Sequence, residues 1–177
     1  MRDGADVAAL VEAHVRVVPD FPEPGILFRD ITPLLADGHA LAAVVEHTAT
    51  RVAGQVVAVA VIEARGFILA APIAVALGTG LVALRKASKL PPPVLTQEYA
   101  LEYGSATIEL SPYAVTPGAR VLVVDDVLAT GGTALAACRL LEAAGAHVTA
   151  VEVLIELAGL GGRAALDGHR LHALLTV

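Results

Sequence analysis

Two adjacent carboxylates, Asp125 and Asp126, directly follow an apolar run and precede a loop of glycine and threonine. The apolar run, residues 121–124, predicts a buried strand, and the loop, residues 130–133, opens a helical pattern. Backbone N–H groups at the start of a helix attract anions, and glycines let the backbone approach a phosphate closely. Acids beside such a loop suit a sugar phosphate, with N–H groups for the phosphate and carboxylates for ribose hydroxyls.

This stretch lacks the signatures of two common nucleotide-binding loops. A Walker loop requires a lysine after its last glycine, but Thr133 follows Gly132. A dinucleotide fingerprint requires three spaced glycines after the strand, and that spacing is absent. An ordinary strand-turn-helix connection is the plain alternative, but such a turn rarely combines two acids with two glycines.

A second apolar run, residues 56–62, ends in the charged turn 63–66. Its layout repeats that of the acidic stretch, because a helical pattern follows over residues 67–77. Arg65 offers a guanidinium to a second anionic group. A solvated ion pair on a surface turn explains the same residues equally well.

A cluster of cations follows a third predicted strand, residues 80–84. The cluster consists of Arg85, Lys86 and Lys89. A solvated face is the usual explanation for such a run. Its position directly after a strand favours a polyanionic ligand, because open α/β sheets bind ligands at this edge.

Two proline-rich stretches interrupt the regular pattern. Residues 19–33 contain four prolines and two of the three phenylalanines, which excludes a continuous helix and indicates an arm or binding loop. Phe28 suits either stacking against a flat heterocycle or packing in the core. Residues 89–105 include three consecutive prolines, 91–93, and a long stiff excursion of this kind is typical of a lid.

The remaining chain predicts an α/β fold with a central, mostly parallel sheet flanked by helices. Its 177 residues predict one domain, and a composition that is 56% apolar but 3% aromatic suits strands buried between helices. Helices are expected at residues 6–18, 39–53, 67–77, 133–144 and 159–166. Strands are expected at residues 56–62, 80–84, 105–110, 121–124, 147–155 and 171–177.

Charge and cysteine content restrict the classes of partner. The net charge of −6 and the absence of a long basic run argue against nucleic acid. The apolar stretches are too short or too interrupted to span a membrane. The N-terminus does not resemble a signal peptide, and the only cysteine, Cys138, lies in a predicted helix. These features predict a reducing cytoplasm.

Several segments together resemble the type I phosphoribosyltransferases. Val-Val-Asp-Asp-Val-Leu-Ala-Thr-Gly-Gly-Thr, residues 123–133, is similar to the motif with which that family binds 5-phosphoribosyl-1-pyrophosphate (PRPP). Further segments narrow the resemblance to the adenine phosphoribosyltransferases, in that family's order and spacing. They are FPEPGILFRDITP at 21–33, EARGF at 63–67, RKASKLP at 85–91 and LEYG at 101–104.

The resemblance, which covers residues 7–175, implies a type I phosphoribosyltransferase fold with a Rossmann-like core. A small hood from residues 19–33 and a mobile catalytic loop at 89–105 complete it. The implied reaction is adenine plus PRPP to AMP plus pyrophosphate, with Mg²⁺ held mainly through PRPP by unspecified protein ligands. Asp125 and Asp126 are implied to bind the ribose. The residues implied for the 5-phosphate are Ala129, Thr130, Gly131, Gly132 and Thr133. Those implied for pyrophosphate are Arg65, Gly66, Arg85, Lys86 and Lys89.

On the base side, the resemblance assigns Leu27, Phe28 and Arg65 to the adenine pocket. Glu102 is implied to transfer the proton, with Arg65 as the second catalytic residue and Tyr103 on the lid. A homodimer is also implied. Two alternatives stay open: a transferase for xanthine, hypoxanthine or guanine, and a non-catalytic regulator that senses PRPP.

Overall fold

The computed structural model describes residues 4–100 and 104–177. The predicted proton-transfer residue Glu102 and the predicted lid residue Tyr103 lie outside these residues. The nine strands are β1 Arg16–Pro19, β2 Leu27–Asp30, β3 Ala58–Ile62, β4 Gly80–Lys86, β5 Leu95–Ala100, β6 Ser105–Leu110, β7 Arg120–Leu128, β8 His147–Glu156 and β9 Leu171–Thr176 in this part of the chain. The helices described there are α1 Gly4–His14, α2 Thr32–Ala36, α3 Gly38–Val52, α4 Gly66–Leu77, α5 Gly132–Ala143 and α6 Gly162–Ala165.

Seven strands form one sheet in the order β5-β6-β4-β3-β7-β8-β9. The five strands β4, β3, β7, β8 and β9 are parallel, whereas β5 and β6 add an antiparallel hairpin at one edge. The predicted α/β class with a mostly parallel sheet is therefore confirmed. Since β3 and β7 are central neighbours, their C-terminal ends lie side by side.

Apolar residues of the central strands pack on both faces of the sheet. Val121 and Val123 of β7 face α5, whereas Leu122 and Val124 face α1, α3 and α4. This alternation follows from the two-residue period of a strand. All four side chains are at most 2% exposed. Burial on both faces explains why the strand reads as a continuous apolar run rather than an alternating one.

Strands β1 and β2 form a two-stranded hairpin over residues 16–30, separate from the main sheet and called the hood below. Strands β1 and β2 pair antiparallel, with Arg16 opposite Asp30, and the Arg16 guanidinium donates to the Asp30 carboxylate over 3.0 Å. The prediction of a helix through residue 18 was wrong, because α1 ends at His14. Val17 and Val18 favour extended backbone, and β2 supplies the partner strand.

Strand β7 is longer than predicted. The prediction placed Asp125 and Asp126 after a strand that ends at Val124, but the strand continues to Leu128. Pairing with β8 explains the extension, because the register continues to Leu128 opposite Glu156. Both acids therefore sit on regular strand backbone and are held more rigidly than turn residues would be.

Helix α3 begins at a cap that the sequence supplies locally. The Asp37 carboxylate accepts hydrogen bonds from the backbone N–H groups of His39 and Ala40 over 2.8 and 2.9 Å. These bonds satisfy donors that the first turn of a helix otherwise leaves unpaired. Across residues 4–100 and 104–177, no helix combines the length and apolarity needed to cross a bilayer.

Replacement of Leu122 by alanine should destabilise the fold strongly. Leu122 is fully buried at the centre of β7, so the Leu122→Ala cavity should lower the free energy of unfolding by about 2–5 kcal/mol. Leu160→Ala is the matched control, because that side chain is 51% exposed and should lose less than about 1 kcal/mol. Urea unfolding followed by circular dichroism measures both. Equal losses in the two variants would contradict the placement of Leu122.

Candidate active site

Both acids of β7 contact one turn, the connection between β3 and α4. The Asp126 carboxylate forms an ion pair with Arg65, with 2.7 Å between Oδ2 and Nε. The Asp125 carboxylate lies against Gly66, where a Cβ atom would be 3.2 Å from its Oδ1. Gly66 therefore allows Asp125 its close approach. Arg65 thus pairs with Asp126, and the neighbouring Gly66 leaves room for Asp125.

The electrostatic setting of Asp125 opposes its ionisation. Burial raises the pKa of Asp125 well above its ordinary value, and the negative charge of Asp126 raises it further. The Asp126 N–H donates to Asp125 Oδ1 over 2.9 Å and, with Arg65, lowers this pKa in part. A ligand that donates hydrogen bonds to Asp125 would stabilise its ionised carboxylate, and sugar hydroxyls are such donors.

Arg65 also connects the turn with the hood. Its guanidinium carbon lies 5.0 Å from the centre of the Phe28 ring, within range of a cation–π interaction. Phe28 in turn packs edge-on against Phe21, with ring centres 5.1 Å apart and planes at 79°. Phe28 belongs to neither face of the sheet core. Leu27 beside it is 55% exposed on β2.

A cavity of about 380 Å³ opens at the C-terminal ends of β3 and β7. It is lined by five residues to which the sequence assigned a role: Arg65, Lys86, Asp125, Asp126 and Thr133. Its other lining residues are Ile62, Glu63, Ala64, Tyr99 and Ile108. Acids, a guanidinium and an ammonium thus surround one space.

A smaller cavity of about 90 Å³ adjoins the first and shares Asp125 and Thr133 with it. The residues from Ala129 to Thr133 form half of its lining. Helix α5 begins at Gly132 with no side-chain cap, after Gly131 at a φ of +83°. Its first backbone N–H groups therefore need an external acceptor, and the small cavity is large enough for a phosphate.

The three predicted cations do not act as one group. Lys86 lines the larger cavity, whereas Lys89 is exposed and lines neither cavity. The Arg85 guanidinium donates to the Glu63 carboxylate and lies 5.5 Å from the centre of the Phe67 ring. Of the cluster, only Lys86 therefore faces the space beside the acids.

Two polar residues in the cavity wall, Glu63 and Tyr99, had no predicted role. Glu63 accepts from Arg85 and from the Lys86 N–H over 3.0 Å. Burial favours its neutral form, but these hydrogen bonds hold the pKa of Glu63 below its ordinary value. The opposite charges at the ends of two predicted strands were a usable signal for this pair. Tyr99 lines the cavity because β5 pairs with β6, and the sequence did not predict that pairing.

The residues that line the larger cavity are compatible with one kind of metal site. Within residues 4–100 and 104–177, no group of three or more histidine, cysteine, aspartate or glutamate side chains is placed to hold a metal. Three carboxylates line the cavity: Glu63, which is paired with Arg85, and the two acids Asp125 and Asp126. Mg²⁺ commonly uses one or two carboxylates together with substrate phosphates and water. The residues present fit Mg²⁺ of that kind and no all-protein metal cage.

Comparison of the chain with known families identifies the arrangement. Residues 33–166 match the phosphoribosyl transferase domain. An adenine phosphoribosyltransferase of Kineococcus radiotolerans is 61% identical over 98% of this chain and 95% of its own length. One from Clavibacter sepedonicus is 59% identical over 95% of this chain and 87% of its own length.

Solved structures agree with the sequence relatives. The adenine phosphoribosyltransferase of Thermoanaerobacter pseudethanolicus superimposes with a TM-score of 0.93 at 43% identity, covering 96% of this chain and 99% of its own. That of Saccharomyces cerevisiae, complexed with an imino-altritol bisphosphate and adenine, gives 0.92 at 32% identity over 97% and 99%. The fold, the sequence and the domain match all lead to one assignment: this chain belongs to the adenine phosphoribosyltransferases.

Proposed function

We propose that this chain transfers the 5-phosphoribosyl group from PRPP to adenine, releasing AMP and pyrophosphate. The observation that carries the proposal is the pair of adjoining cavities that share Asp125 and Thr133. One has the size and backbone donors for a phosphate. The other combines carboxylates with cations, as a ribose that bears a pyrophosphate requires.

The 5-phosphate is assigned to the loop from Ala129 to Thr133, where the positive end of the α5 dipole favours an anion. Asp125 and Asp126 then hold the ribose hydroxyls. Loss of pyrophosphate leaves positive charge on the anomeric carbon, as in glycoside cleavage. The two carboxylates beneath the sugar stabilise that charge more than they stabilise the neutral ribose.

The departing pyrophosphate is assigned to the cationic side of the larger cavity. Lys86 and Arg65 line it, and donors fixed in advance stabilise the charge that develops on the leaving group. Gly66, Arg85 and Lys89 do not line this cavity, and their assignment to pyrophosphate rests on the family resemblance alone. Glu63 holds the Arg85 guanidinium. When bound, Mg²⁺ would neutralise phosphate charge, with Asp125 and Asp126 as the carboxylates nearest to that role.

The base is assigned to the hood. Phe28 offers a ring for stacking, and Leu27 offers an exposed position on β2. Arg65 contacts Phe28 and also lines the cavity on the pyrophosphate side. The S. cerevisiae relative, whose structure holds adenine, supports this choice over other purines. Arg65 thereby touches both reactants, which is the basis for its catalytic assignment.

Glu102 is assigned to the proton that adenine must release as its nitrogen attacks the sugar. A carboxylate at hydrogen-bond distance from that nitrogen acts as a general base. The segment that carries Glu102 and Tyr103 is bounded by β5 and β6, and β6 pairs with β4 beside the cavity. A lid there would exclude water, which otherwise attacks the activated sugar.

We further propose a cytoplasmic homodimer. Cys138, the only cysteine, is buried and has no second cysteine in the chain with which to form a disulfide, which suits a reducing compartment. Val75 and Ile68 on α4 are 81% and 47% exposed, which is unusual for apolar side chains on one helix. Two-fold symmetric dimers are the commonest way in which soluble chains cover such residues.

A panel of bases tests the reaction directly. The chain, Mg²⁺ and PRPP should form a nucleotide with adenine at a kcat/KM at least about a hundredfold above that with guanine, hypoxanthine or xanthine. Chromatography of the nucleotide products measures the four rates. Turnover of another base in preference to adenine would contradict the base assignment, and PRPP binding without any turnover would contradict the enzyme assignment.

Asp125→Asn should stabilise the ligand-free protein while weakening its use of PRPP. The folded-state pKa of Asp125 is raised, so the unfolded chain loses this proton more readily than the folded one. The resulting loss of stability is fully present above the folded-state pKa and disappears as pH falls through it. We expect a higher free energy of unfolding at pH 7, a smaller gain in acid, and a KM for PRPP raised at least about tenfold.

Asp126→Asn is the matched control for this prediction. It removes a charge next to Asp125 but also breaks the ion pair with Arg65, and it should not stabilise the protein in the same way. Denaturant unfolding at several pH values separates the variants. An Asp125→Asn protein that is less stable than wild type at pH 7 would refute this electrostatic account.

Glu102→Gln should lower kcat about a hundredfold while changing the KM for either substrate by less than about threefold. The amide keeps the size of the side chain but cannot accept the proton. Glu98→Gln is the control, because Glu98 is an exposed carboxylate of the same hairpin that accepts from Ser105 Oγ. Steady-state kinetics with saturating PRPP measures both. Wild-type kcat in Glu102→Gln would remove Glu102 from the proton transfer.

A further inference from the structure

Helix α6 lies directly against the loop that forms the small cavity. A Cβ atom on Gly162 would overlap the carbonyl oxygen of Ala129 and lie 2.8 Å from Leu128 Cγ. A Cβ atom on Gly131 would lie 2.7 Å from the Gly162 carbonyl oxygen. Such separations are shorter than van der Waals contact, so the two backbones meet only because both residues are glycines. Helix α6 thus supports the loop from behind.

An ion pair fixes the start of α6. The Arg163 guanidinium donates two hydrogen bonds to the Glu156 carboxylate, the one from Nε spanning 2.9 Å. Glu156, at the end of β8, is 4% exposed, whereas the Arg163 side chain is 55% exposed. A buried carboxylate is costly without its partner, and a two-bond arginine contact also sets direction. The pair therefore holds the residue next to Gly162 at the sheet edge.

Two further contacts fix the segment that contains α6. The Leu157 N–H donates to the Leu128 carbonyl oxygen over 2.9 Å, directly before the loop. Leu166, after α6, is 1% exposed and belongs to the same core face as Leu128 and Ala134. The segment is thus fixed at both ends to the strand and helix that flank the loop.

We propose that α6 is a positioning element for the 5-phosphate loop, with Gly162 as its contact and Glu156 and Arg163 as positioning residues. This inference depends on the proposed assignment of the 5-phosphate to that loop. None of the three residues lines either of the cavities assigned to substrate. They act through the backbone from Ala129 to Gly131, whose N–H groups must be aimed correctly before a phosphate arrives.

Inhibition by two substrate fragments tests the proposal on the full-length chain. Ribose 5-phosphate needs the loop, whereas pyrophosphate needs only the cationic side of the larger cavity. In Gly162→Ala and Arg163→Ala, we expect the KM for PRPP and the inhibition constant of ribose 5-phosphate to rise roughly tenfold. The inhibition constant of pyrophosphate and kcat should change less than about twofold.

Matched controls separate positioning from general damage. Gly159→Ala adds a methyl group in the same segment where nothing lies within 4 Å, and Arg139→Ala removes an exposed arginine of α5. Both should behave as wild type. Arg163→Lys keeps the charge without the two-bond geometry, so it should restore part of the ribose 5-phosphate affinity. If Gly162→Ala does not fold, Arg163→Ala carries the test, because its side chain is more than half exposed.

The outcomes distinguish this inference from the proposed function. Thr133→Val alters the loop itself and should weaken ribose 5-phosphate whether or not α6 matters. If Thr133→Val weakens it but Arg163→Ala does not, α6 has no positioning role and the phosphate assignment stands. Equal loss of ribose 5-phosphate and pyrophosphate affinity in Arg163→Ala would also overturn the inference. If ribose 5-phosphate does not inhibit the wild type, the phosphate assignment and the inference both fail.

Discussion

The ion pair between Arg65 and Asp126 connects the three parts from which the site is built. Asp126 is 6% exposed near the C-terminal end of β7, and a carboxylate buried there is costly without a cationic partner. Arg65, in the turn before α4, supplies that partner, with 2.7 Å between its Nε and Asp126 Oδ2. The same guanidinium lies beside the Phe28 ring of the hood. Sheet, turn and hood therefore hold one another in place through a single side chain.

Asp125, the neighbouring acid, lowers the stability of the ligand-free protein. Asp125 is enclosed beside Asp126, and both burial and that second charge raise its pKa. Arg65 compensates one of the two carboxylates well and the other only in part. Binding sites commonly sacrifice stability in this way, because groups aimed at a ligand cannot also satisfy one another. The uncapped start of α5 beside the small cavity is a second example.

The sequence predicted the features that depend on local pattern. Buried parallel strands appear as apolar runs, and the order of acids, glycines and threonines after one of them pointed to the loop that lines the small cavity. The sequence did not predict which segments pair when they are far apart along the chain. Val17 became a strand residue rather than a helix residue because β2 folds back onto it. Arg85 turned toward Glu63, and Gly162 met the loop, because the register of neighbouring strands brought them together.

The central claim is that one connected site holds phosphate, ribose and base in a fixed order along β7, Arg65 and the hood. A crystal structure of the chain with AMP tests it most directly. The account predicts the phosphate within about 2.7–3.1 Å of backbone N–H groups between Ala129 and Thr133. It also predicts ribose hydroxyls on Asp125 and Asp126, and the base against Phe28. A phosphate on Lys86 with the loop empty, or a base away from the hood, would contradict it.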